Sequence, residues 1–540
     1  MSARANRITR RRLMQQGSLL VGAQLLPRAL AQSMAMPMPQ HRSAKTLDAL
    51  KLPSFVDPLP LPQVLRPEGR RSAPEHDAAD APYYRIRIRE IAAKLHHDLP
   101  AARVFSYADT AAPPLMEART GEGILIEWVN DLPARHLFPL DGSMPGMPAL
   151  AGLPETRTVA HVHGARVPSV SDGYPEDWFA PGHSKLCFYP NQQDSAALWF
   201  HDHAMGSNRL NIFAGLMGLY ILRDNREAAL NLPSGPYELP LLIYDRSLTP
   251  TGQLYYPNPP DEGTWTDEFL GDAMIVNGKL RPFHNVEPRR YRLRIANTAN
   301  ARFFSLAISN NQPFHIIGSD QGLLSAPVEA HRILLAPAER TDLIVDFSHA
   351  RGQNITLTSG GDDLLQFRVS KSLVRDTSTV PATLRTISRI PEANADRTRL
   401  LTLNQFDAGN GSPMVMLLNR KHWHEPVTEI VKLDSTEIWS LINLTDDTHP
   451  IHLHMVRFQV LDRRNFSVFD YLDTETLAYT ATATAPPKHE LGWKDVVQCP
   501  PGMVTRIIIN FSGYPGRYLW HCHILEHEAN DMMRPYLVEA

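Results

Sequence analysis

Residues 521–532 of the 540-residue chain read His-Cys-His-Ile-Leu-Glu-His-Glu-Ala-Asn-Asp-Met. One thiolate donor, Cys522, stands between two histidines, and a third histidine and a thioether, Met532, follow it. One thiolate, two imidazoles and a weak axial thioether are the ligands of mononuclear copper sites that transfer electrons. The stretch therefore predicts such a copper site near the C-terminal end of the chain.

Three further groups of histidines lie upstream of this stretch. They are His161-Val-His163, His201-Asp-His203 and His449-Pro-Ile-His452-Leu-His454. Alternate side chains of a strand share one face, so the two rings of a His-X-His pair lie about 6.6 Å apart on the same side. His521-Cys-His523 is a fourth such pair, and the four pairs, which leave out His449, bring eight imidazoles to a common site. Eight neutral imidazoles require several metal ions. We therefore expect a metal cluster in addition to the mononuclear site.

Cys522 lies between two of these histidines, and its side chain should point to the opposite face of the strand. The covalent path from its sulfur atom to either neighbouring imidazole crosses two residues, about 10 Å of chain. The pattern predicts that Cys522 connects the mononuclear site to the cluster as a path for electrons.

The rest of the chain alternates polar and apolar residues over short stretches, for example at 84–88, 123–129, 291–295 and 505–511. Clear helical periodicity is scarce, and the 45 prolines favour loops and edge strands. Short strands separated by turn residues are typical of β-sandwiches. Charged stretches at 225–236 and 371–398 divide a chain that is too long for one core into three domains.

The first 31 residues match an export signal. Positions 9–14 read Thr-Arg-Arg-Arg-Leu-Met, an apolar stretch covers 18–26, and Ala-Leu-Ala at 29–31 resembles a cleavage site. The alternative is a basic N-terminal helix or arm. We expect the twin-arginine export machinery as a partner and a periplasmic or secreted protein, because no later segment reaches the ~18 apolar residues of a membrane span.

Residues 32–48 resemble a flexible linker, in which Met34, Met36 and Met38 could also recruit Cu(I). The expected division of the remaining chain is a first domain at 49–225, a second at 230–372, a linker at 373–397 and a third domain at 398–540.

Charge and cysteine content exclude other classes of protein. A net charge of −3 gives no basic surface for nucleic acid, and three cysteines do not form a disulfide scaffold. Cys187 and Cys499 could form a disulfide only if their Cα atoms lie within about 7 Å. A monomer is expected.

The histidine groups together resemble the signature of the multicopper oxidases. Further motifs resemble the bacterial spore-coat laccase and bilirubin oxidase branch of that family, from about Phe55 to the end of the chain. These motifs are Asp172-Gly-Tyr-Pro-Glu176, Tyr189-Pro-Asn-Gln-Gln193, Trp199-Phe-His-Asp-His-Ala-Met205, Gly492-Trp-Lys-Asp495 and Met532-Met-Arg-Pro535.

The resemblance implies an all-β fold of three consecutive cupredoxin-like β-sandwich domains that hold four copper ions. The type 1 copper would take His449, Cys522, His527 and Met532, and the type 2 copper would take His161 and His452. The two type 3 copper ions would take His163, His201, His203, His454, His521 and His523. The cluster would lie between the first and third domains, which leaves the second to space them and to shape the substrate cleft.

The resemblance also implies an activity, the oxidation of phenolic, aromatic amine or tetrapyrrole substrates by single electrons, coupled to reduction of O2 to two waters. Reduction of O2 consumes four protons, and Asp172 and Glu528 match family positions implicated in proton delivery. Alternatively these two carboxylates orient the ligand histidines.

Two other functions remain open. One is a periplasmic cuprous oxidase, which takes Cu(I) as substrate. The copper-tolerance branch often carries a methionine-rich insert, whereas residues 371–400 contain no methionine. Met144, Met147, Met414 and Met416 leave room for this alternative. The other function is that of a copper-free structural or assembly protein, which loss of ligand residues would indicate.

Overall fold

A computed structural model describes residues 45–76, 78–110, 112–142, 144, 151–257, 266–406 and 414–540. The predicted signal, most of the predicted linker at 32–48 with its three methionines, and Met147 lie outside these residues. In the described part of the chain, no helix is long and apolar enough to cross a membrane.

The first group of strands forms two sheets, ordered β1-β2-β5-β7 with β3 beside β2, and β4-β9-β8-β6. Apolar and polar residues alternate along part of β2, so that one face of the strand is buried there. Tyr84, Ile86 and Ile88 are buried, whereas Arg85 and Arg87 are exposed. The elements are β1 Gly69–Ala73, β2 Ala78–Ala93, β3 Ala102–Ser106, β4 Leu115–Arg119, β5 Ile124–Asn130, β6 Ala160–His163, β7 Ser184–Tyr189, β8 Ala196–Asp202, α1 Asn208–Ala214 and β9 Met217–Arg223.

A short helix, α2 (Asn225–Ala229), follows within a stretch that the sequence marked only as a linker. The side chain of Asp224 caps it by accepting a hydrogen bond from the backbone N–H of Glu227 at 2.7 Å. The Glu227 carboxylate is buried, and it accepts hydrogen bonds from Arg292 at 2.9 Å and from Arg294 at 2.5 Å. The segment is therefore fixed to the next domain by buried ion pairs.

The second group of strands forms an eight-stranded sheet, β13-β12-β10-β15-β20-β17-β18 with β11 beside β10, and a five-stranded sheet, β14-β22-β21-β16-β19. The strands are β10 Glu238–Leu248, β11 Leu254–Tyr255, β12 Ala273–Val276, β13 Lys279–Leu280, β14 Phe283–Val286, β15 Arg290–Asn297, β16 Phe304–Ile308, β17 Phe314–Ser319, β18 Gly322–Ala330, β19 Arg332–Leu335, β20 Arg340–Asp346, β21 Asn354–Ser359 and β22 Asp362–Val369.

The third group forms two five-stranded sheets, β24-β23-β26-β30-β28 and β25-β32-β31-β27-β29. The elements are β23 Arg397–Phe406, β24 Val415–Leu418, β25 Glu429–Lys432, β26 Thr436–Asn443, β27 His449–Leu453, β28 Phe458–Asn465, α3 Val468–Thr474, β29 Val496–Cys499, β30 Met503–Asn510, β31 Gly516–Cys522, α4 Leu525–Ala529 and β32 Met533–Glu539.

The strand register places the histidine groups beside one another. In the first group of strands, β6 and β8 are antiparallel neighbours, and His161 is paired with His201. In the third group, β27 and β31 are antiparallel neighbours, and His452 is paired with His521. Each pair of strands therefore places its His-X-His groups side by side.

The predicted all-β fold is confirmed, while the domain boundaries stay a prediction. The described strands fall within 69–223, 238–369 and 397–539, and they all belong to one compact unit. The disulfide left open by the sequence does not form: Cys187, Cys499 and Cys522 are all buried free thiols.

Candidate metal centre

His449, Cys522 and His527 form a triangle of donor atoms in the third sandwich. The Cys522 sulfur lies 3.5 Å from His449 Nδ1 and 3.8 Å from His527 Nδ1, and the two nitrogen atoms lie 3.3 Å apart. A point equidistant from the three atoms lies about 2 Å from each of them, close to the length of a metal–nitrogen bond. The donors and their spacing therefore fit a mononuclear copper ion.

Met532 is held next to this triangle and is fully buried. Its backbone carbonyl oxygen accepts from the N–H of Cys522 at 3.0 Å, and its own N–H donates to the carbonyl oxygen of His527 at 3.0 Å. Nε2 of His449 is hydrogen bonded to Thr445 Oγ1 at 2.6 Å, which leaves Nδ1 for the metal. Burial raises the pKa of the Cys522 thiol, so a bound cation is what would hold it as a thiolate there.

The eight remaining histidines converge between the first and third sandwiches. Two triads bring their ligand atoms within 4.8 Å of one another: His163 with His201 and His523, and His203 with His454 and His521. In the second triad, Nε2 of His521 lies 3.2 Å from Nε2 of His454 and 3.4 Å from Nε2 of His203.

His161 and His452 lie between these triads. The ring of His161 stacks on that of His454 with centroids 3.8 Å apart, and the ring of His452 stacks on that of His163 at 3.6 Å. His161, His163 and His452 also bring their ligand atoms within 4.8 Å. All twelve residues predicted as copper ligands are thus placed in two groups, a group of four that includes Cys522 and the eight histidines of the cluster.

Ring nitrogen atoms of the cluster are neutral or lack hydrogen-bond partners, so they are available to bind metal ions. Burial lowers the pKa of His201 to about 3 and that of His203 to about 4, so both imidazoles are neutral at pH 7. Among the described residues, Nε2 of His201, Nε2 of His452 and both ring nitrogen atoms of His523 have no hydrogen-bond partner. Buried nitrogen atoms without partners are costly, and metal ions would satisfy them.

Two buried carboxylates contact histidines of the cluster. The Asp172 carboxylate accepts from His454 Nδ1 at 2.8 Å, and the Asp172 backbone oxygen accepts from His161 Nδ1 at 2.6 Å. The Glu528 carboxylate lies 3.2 Å from His521 Nδ1 and 3.5 Å from His203 Nδ1. Both carboxylates therefore contact histidines of the cluster, as the sequence led us to expect.

The two carboxyl groups differ in their titration. Burial raises the pKa of Asp172 well above its ordinary range. Burial acts in the same direction on Glu528, but His521 and His203 outweigh it and lower the pKa of that group. The surroundings therefore shift the pKa values of the two acids in opposite directions.

One supporting carboxylate was missed by the sequence analysis. Asp495 is fully buried, its carboxylate accepts from His163 Nε2 at 3.1 Å, and its backbone oxygen accepts from His452 Nδ1 at 2.8 Å. The only sequence signal was its place in the motif at 492–495. Asp495 is bound in turn by Arg340 of the second sandwich, a contact that the sequence did not indicate.

Other histidines lie apart from the cluster. His422 and His424 have His-X-His spacing but are exposed, and they contact the carboxylates of Asp531 and Glu176 at 2.6 and 3.7 Å. His96 is buried and its Nε2 is hydrogen bonded to the carbonyl oxygen of Pro53 at 2.8 Å.

Comparison with known proteins matches this architecture. Three family models described as multicopper oxidase match residues 151–227, 246–368 and 392–540. A laccase of Bacillus subtilis (strain 168) is 42% identical over 513 residues, which cover 90% of this chain and 98% of the relative. The chain belongs to the multicopper oxidase family.

Further relatives support this assignment. A laccase of Bacillus stratosphericus is 39% identical over 515 residues, covering 90% of this chain and 99% of that protein. The crystal structure of a multi-copper oxidase from Pediococcus acidilactici superposes with a TM-score of 0.75 at 25% identity, covering 91% of this chain and 93% of that one. The predicted laccase-type copper oxidoreductase and its three cupredoxin-like domains are confirmed.

Proposed function

We propose that this multicopper oxidase holds four copper ions and oxidises phenolic, aromatic amine or tetrapyrrole substrates. The type 1 ion would be held by His449, Cys522, His527 and Met532, the type 2 ion by His161 and His452, and one type 3 ion by each histidine triad. Bound copper supplies one-electron chemistry, so that four single-electron oxidations and four protons convert one O2 into two waters.

The position of Cys522 carries this proposal. Its sulfur belongs to the mononuclear triangle, whereas its neighbours His521 and His523 belong one to each triad of the cluster. Strand β31 ends with His521 and Cys522 and holds them through its pairing with β27 and β32. The backbone N–H of His523, the next residue, donates to the carbonyl oxygen of Pro450 on β27 at 2.7 Å. The chain itself therefore connects the site that takes electrons from the substrate with the site that uses them.

Asp172 and Glu528 are proposed to hold the protons that O2 reduction consumes. Each carboxylate contacts a ligand candidate directly and is closed off from solvent. The side chain of Asn208 donates to Glu528 at 2.5 Å and fixes its orientation from helix α1 of the first domain. Orientation of the ligand histidines by the same contacts is compatible with this role.

A second candidate substrate is a metal cation such as Cu(I). Carboxyl groups gather near the type 1 ligands: burial and the nearby Asp447, Glu526 and Asp267 raise the pKa of Glu268 to about 8. The backbone oxygen of Asp447 accepts from Thr445 Oγ1, the hydroxyl that contacts His449. A bound cation would relieve the repulsion among these groups.

The deciding experiment measures oxygen consumption by the copper-loaded protein with a phenolic dye and with Cu(I). Fast phenol turnover without added copper, with an intense visible band, supports the laccase-type substrate. Turnover of Cu(I) alone supports the cuprous oxidase, and Asp447→Asn should then raise the KM for Cu(I), whereas the exposed control Asp470→Asn should not. A colourless, inactive protein contradicts both.

Export by the twin-arginine machinery to the periplasm or the exterior is proposed from the N-terminal sequence. Paired Arg10→Lys and Arg11→Lys substitutions should keep the protein in the cytoplasm. Export that continues with both lysines contradicts this part of the proposal.

A further inference from the structure

Asp495 contacts histidines from two different domains. Its carboxylate oxygen Oδ1 accepts from Nε2 of His163, which lies on β6 of the first domain. Its backbone oxygen accepts from Nδ1 of His452, which lies on β27 of the third domain. Because each hydrogen bond occupies one ring nitrogen, Asp495 decides which nitrogen of these two rings remains free for a metal ion.

Asp495 is itself held by Arg340, at the start of β20 in the second domain. The guanidinium donates to both carboxylate oxygen atoms, from Nη1 at 2.6 Å and from Nη2 at 2.5 Å. This bidentate geometry fixes the plane of the carboxylate as well as its distance.

The Arg340 side chain is itself fixed by hydrogen bonds. Its remaining N–H groups donate to the backbone oxygen atoms of Ala338, Asp320 and Ala197, at 3.1, 3.0 and 3.3 Å. Ala197 belongs to β8, the strand that also carries His201. All five guanidinium donors are therefore used, and the side chain is fully buried.

The surrounding backbone is shaped to admit this pair. Gly164, the residue after His163, has a φ of +86°, and a Cβ atom there would lie 2.5 Å from Asp495 Oδ2 and 2.8 Å from Arg340 Nη2. Gln321 completes the arrangement, since its amide nitrogen donates to Asp495 at 2.5 Å and to the Gly164 carbonyl oxygen at 2.8 Å. The glycine is required both by its backbone conformation and by the close approach.

We propose that Arg340 is a positioning residue of the copper cluster, which acts through Asp495 on His163 and His452. The second domain, which contributes no ligand candidate among its described residues, thereby sets the geometry of the cluster between the other two. The inference rests on the proposed function, because it assumes that His452 binds the type 2 copper and His163 a type 3 copper.

The test compares Arg340→Lys with Arg292→Lys in the copper-loaded full chain. Lysine keeps the positive charge but cannot donate two parallel hydrogen bonds to one carboxylate. Arg292 is an equally buried arginine on β15, the neighbouring strand, and its partners are Asp342 and Glu227. It controls for the loss of a buried arginine in the same sheet.

The measurements are the type 2 copper signal by electron paramagnetic resonance and copper retention against a chelator. We expect Arg340→Lys to alter the type 2 signal and to weaken copper binding there by about 10- to 100-fold, with the type 1 visible band kept. Arg292→Lys should leave the type 2 signal unchanged. A type 2 signal and copper retention in Arg340→Lys equal to those of Arg292→Lys overturn the inference.

Gln321→Met provides a milder variant if Arg340→Lys does not fold. It removes one donor to Asp495 and keeps a similar side-chain volume, and a smaller shift of the same signal is expected. An unshifted signal counts against the inference. If the unaltered protein shows no type 2 signal after copper loading, the proposed function itself fails and the role of Arg340 fails with it.

Discussion

The sulfur atom of Cys522 lies 3.5 Å from Nδ1 of His449, although 73 positions separate the two residues in the sequence. Antiparallel pairing of β27 with β31 produces this approach, because Ile451 stands opposite Cys522. Helix α4 then returns His527 to the same point. The mononuclear site is thus built on two paired strands and one helical turn, and His449, Cys522 and His527 are all buried.

Replacement of Cys522 by serine should abolish the intense visible band and reduce turnover to background, since the thiolate ligand is lost. Absorption spectroscopy and oxygen consumption measure both effects. Cys187→Ser is the matched control, because Cys187 is also a buried free thiol. A Cys522→Ser protein that stays blue would refute the type 1 assignment.

Met532→Leu should keep the type 1 copper but raise its reduction potential, because a weak axial donor is removed. Redox titration of the visible band gives the potential. Met533→Leu serves as control, since Met533 is equally buried but packs with Trp423 and Leu519 in a separate apolar cluster. Equal potentials in the two variants would mean that another residue occupies the axial position.

Glu528→Gln should slow reoxidation of the reduced protein by O2 by about 100-fold or more, the usual weight of a positioned acid. Anaerobic bleaching of the visible band by substrate should change little. Rapid-mixing absorption measures the two half-reactions separately. Asp531→Asn, whose carboxylate contacts His422 instead, should affect neither rate. Slower bleaching with unchanged reoxidation would indicate an orienting role only.

His136 should make stability depend on pH. Burial lowers its pKa to about 4 in the folded protein, below the value of about 6.5 in the unfolded chain. Above pH 6.5 the His136 ring is neutral in both the folded and the unfolded chain, so its titration does not change the free energy of unfolding. Below it the unfolded chain gains the proton first, so the unfolding free energy falls by about 2 kcal/mol between pH 7 and pH 5.

Urea denaturation of His136→Gln at the two pH values checks this expectation. On acidification the free energy of unfolding of His136→Gln should fall by about 2 kcal/mol less than that of the unaltered protein. His183→Gln, at an exposed position, should behave like the unaltered protein. Equal losses in all three proteins would show that His136 does not titrate as expected.

Much of the fold was predictable because alternation is a local signal. The segments at 84–88 and 291–295 lie within strands β2 and β15. The candidate ligand residues are recognisable from their spacing along the chain. Helix α2 was missed because five residues are too few for a helical period to show. The hydrogen-bonded pair of Arg340 and Asp495 was missed for another reason. The two residues are 155 positions apart, and no local pattern relates an arginine to a distant aspartate.

The candidate ligand residues come from two distant parts of the chain, 161–203 and 449–532, and the entire middle sandwich lies between them. Copper bound at the cluster would therefore act as a cross-link that closes a loop of more than two hundred residues. Such a link stabilises the folded state by mass action, because the unfolded chain cannot bring the two parts together. A proteolytic cut within the middle domain would leave two fragments that the metal ions still hold together.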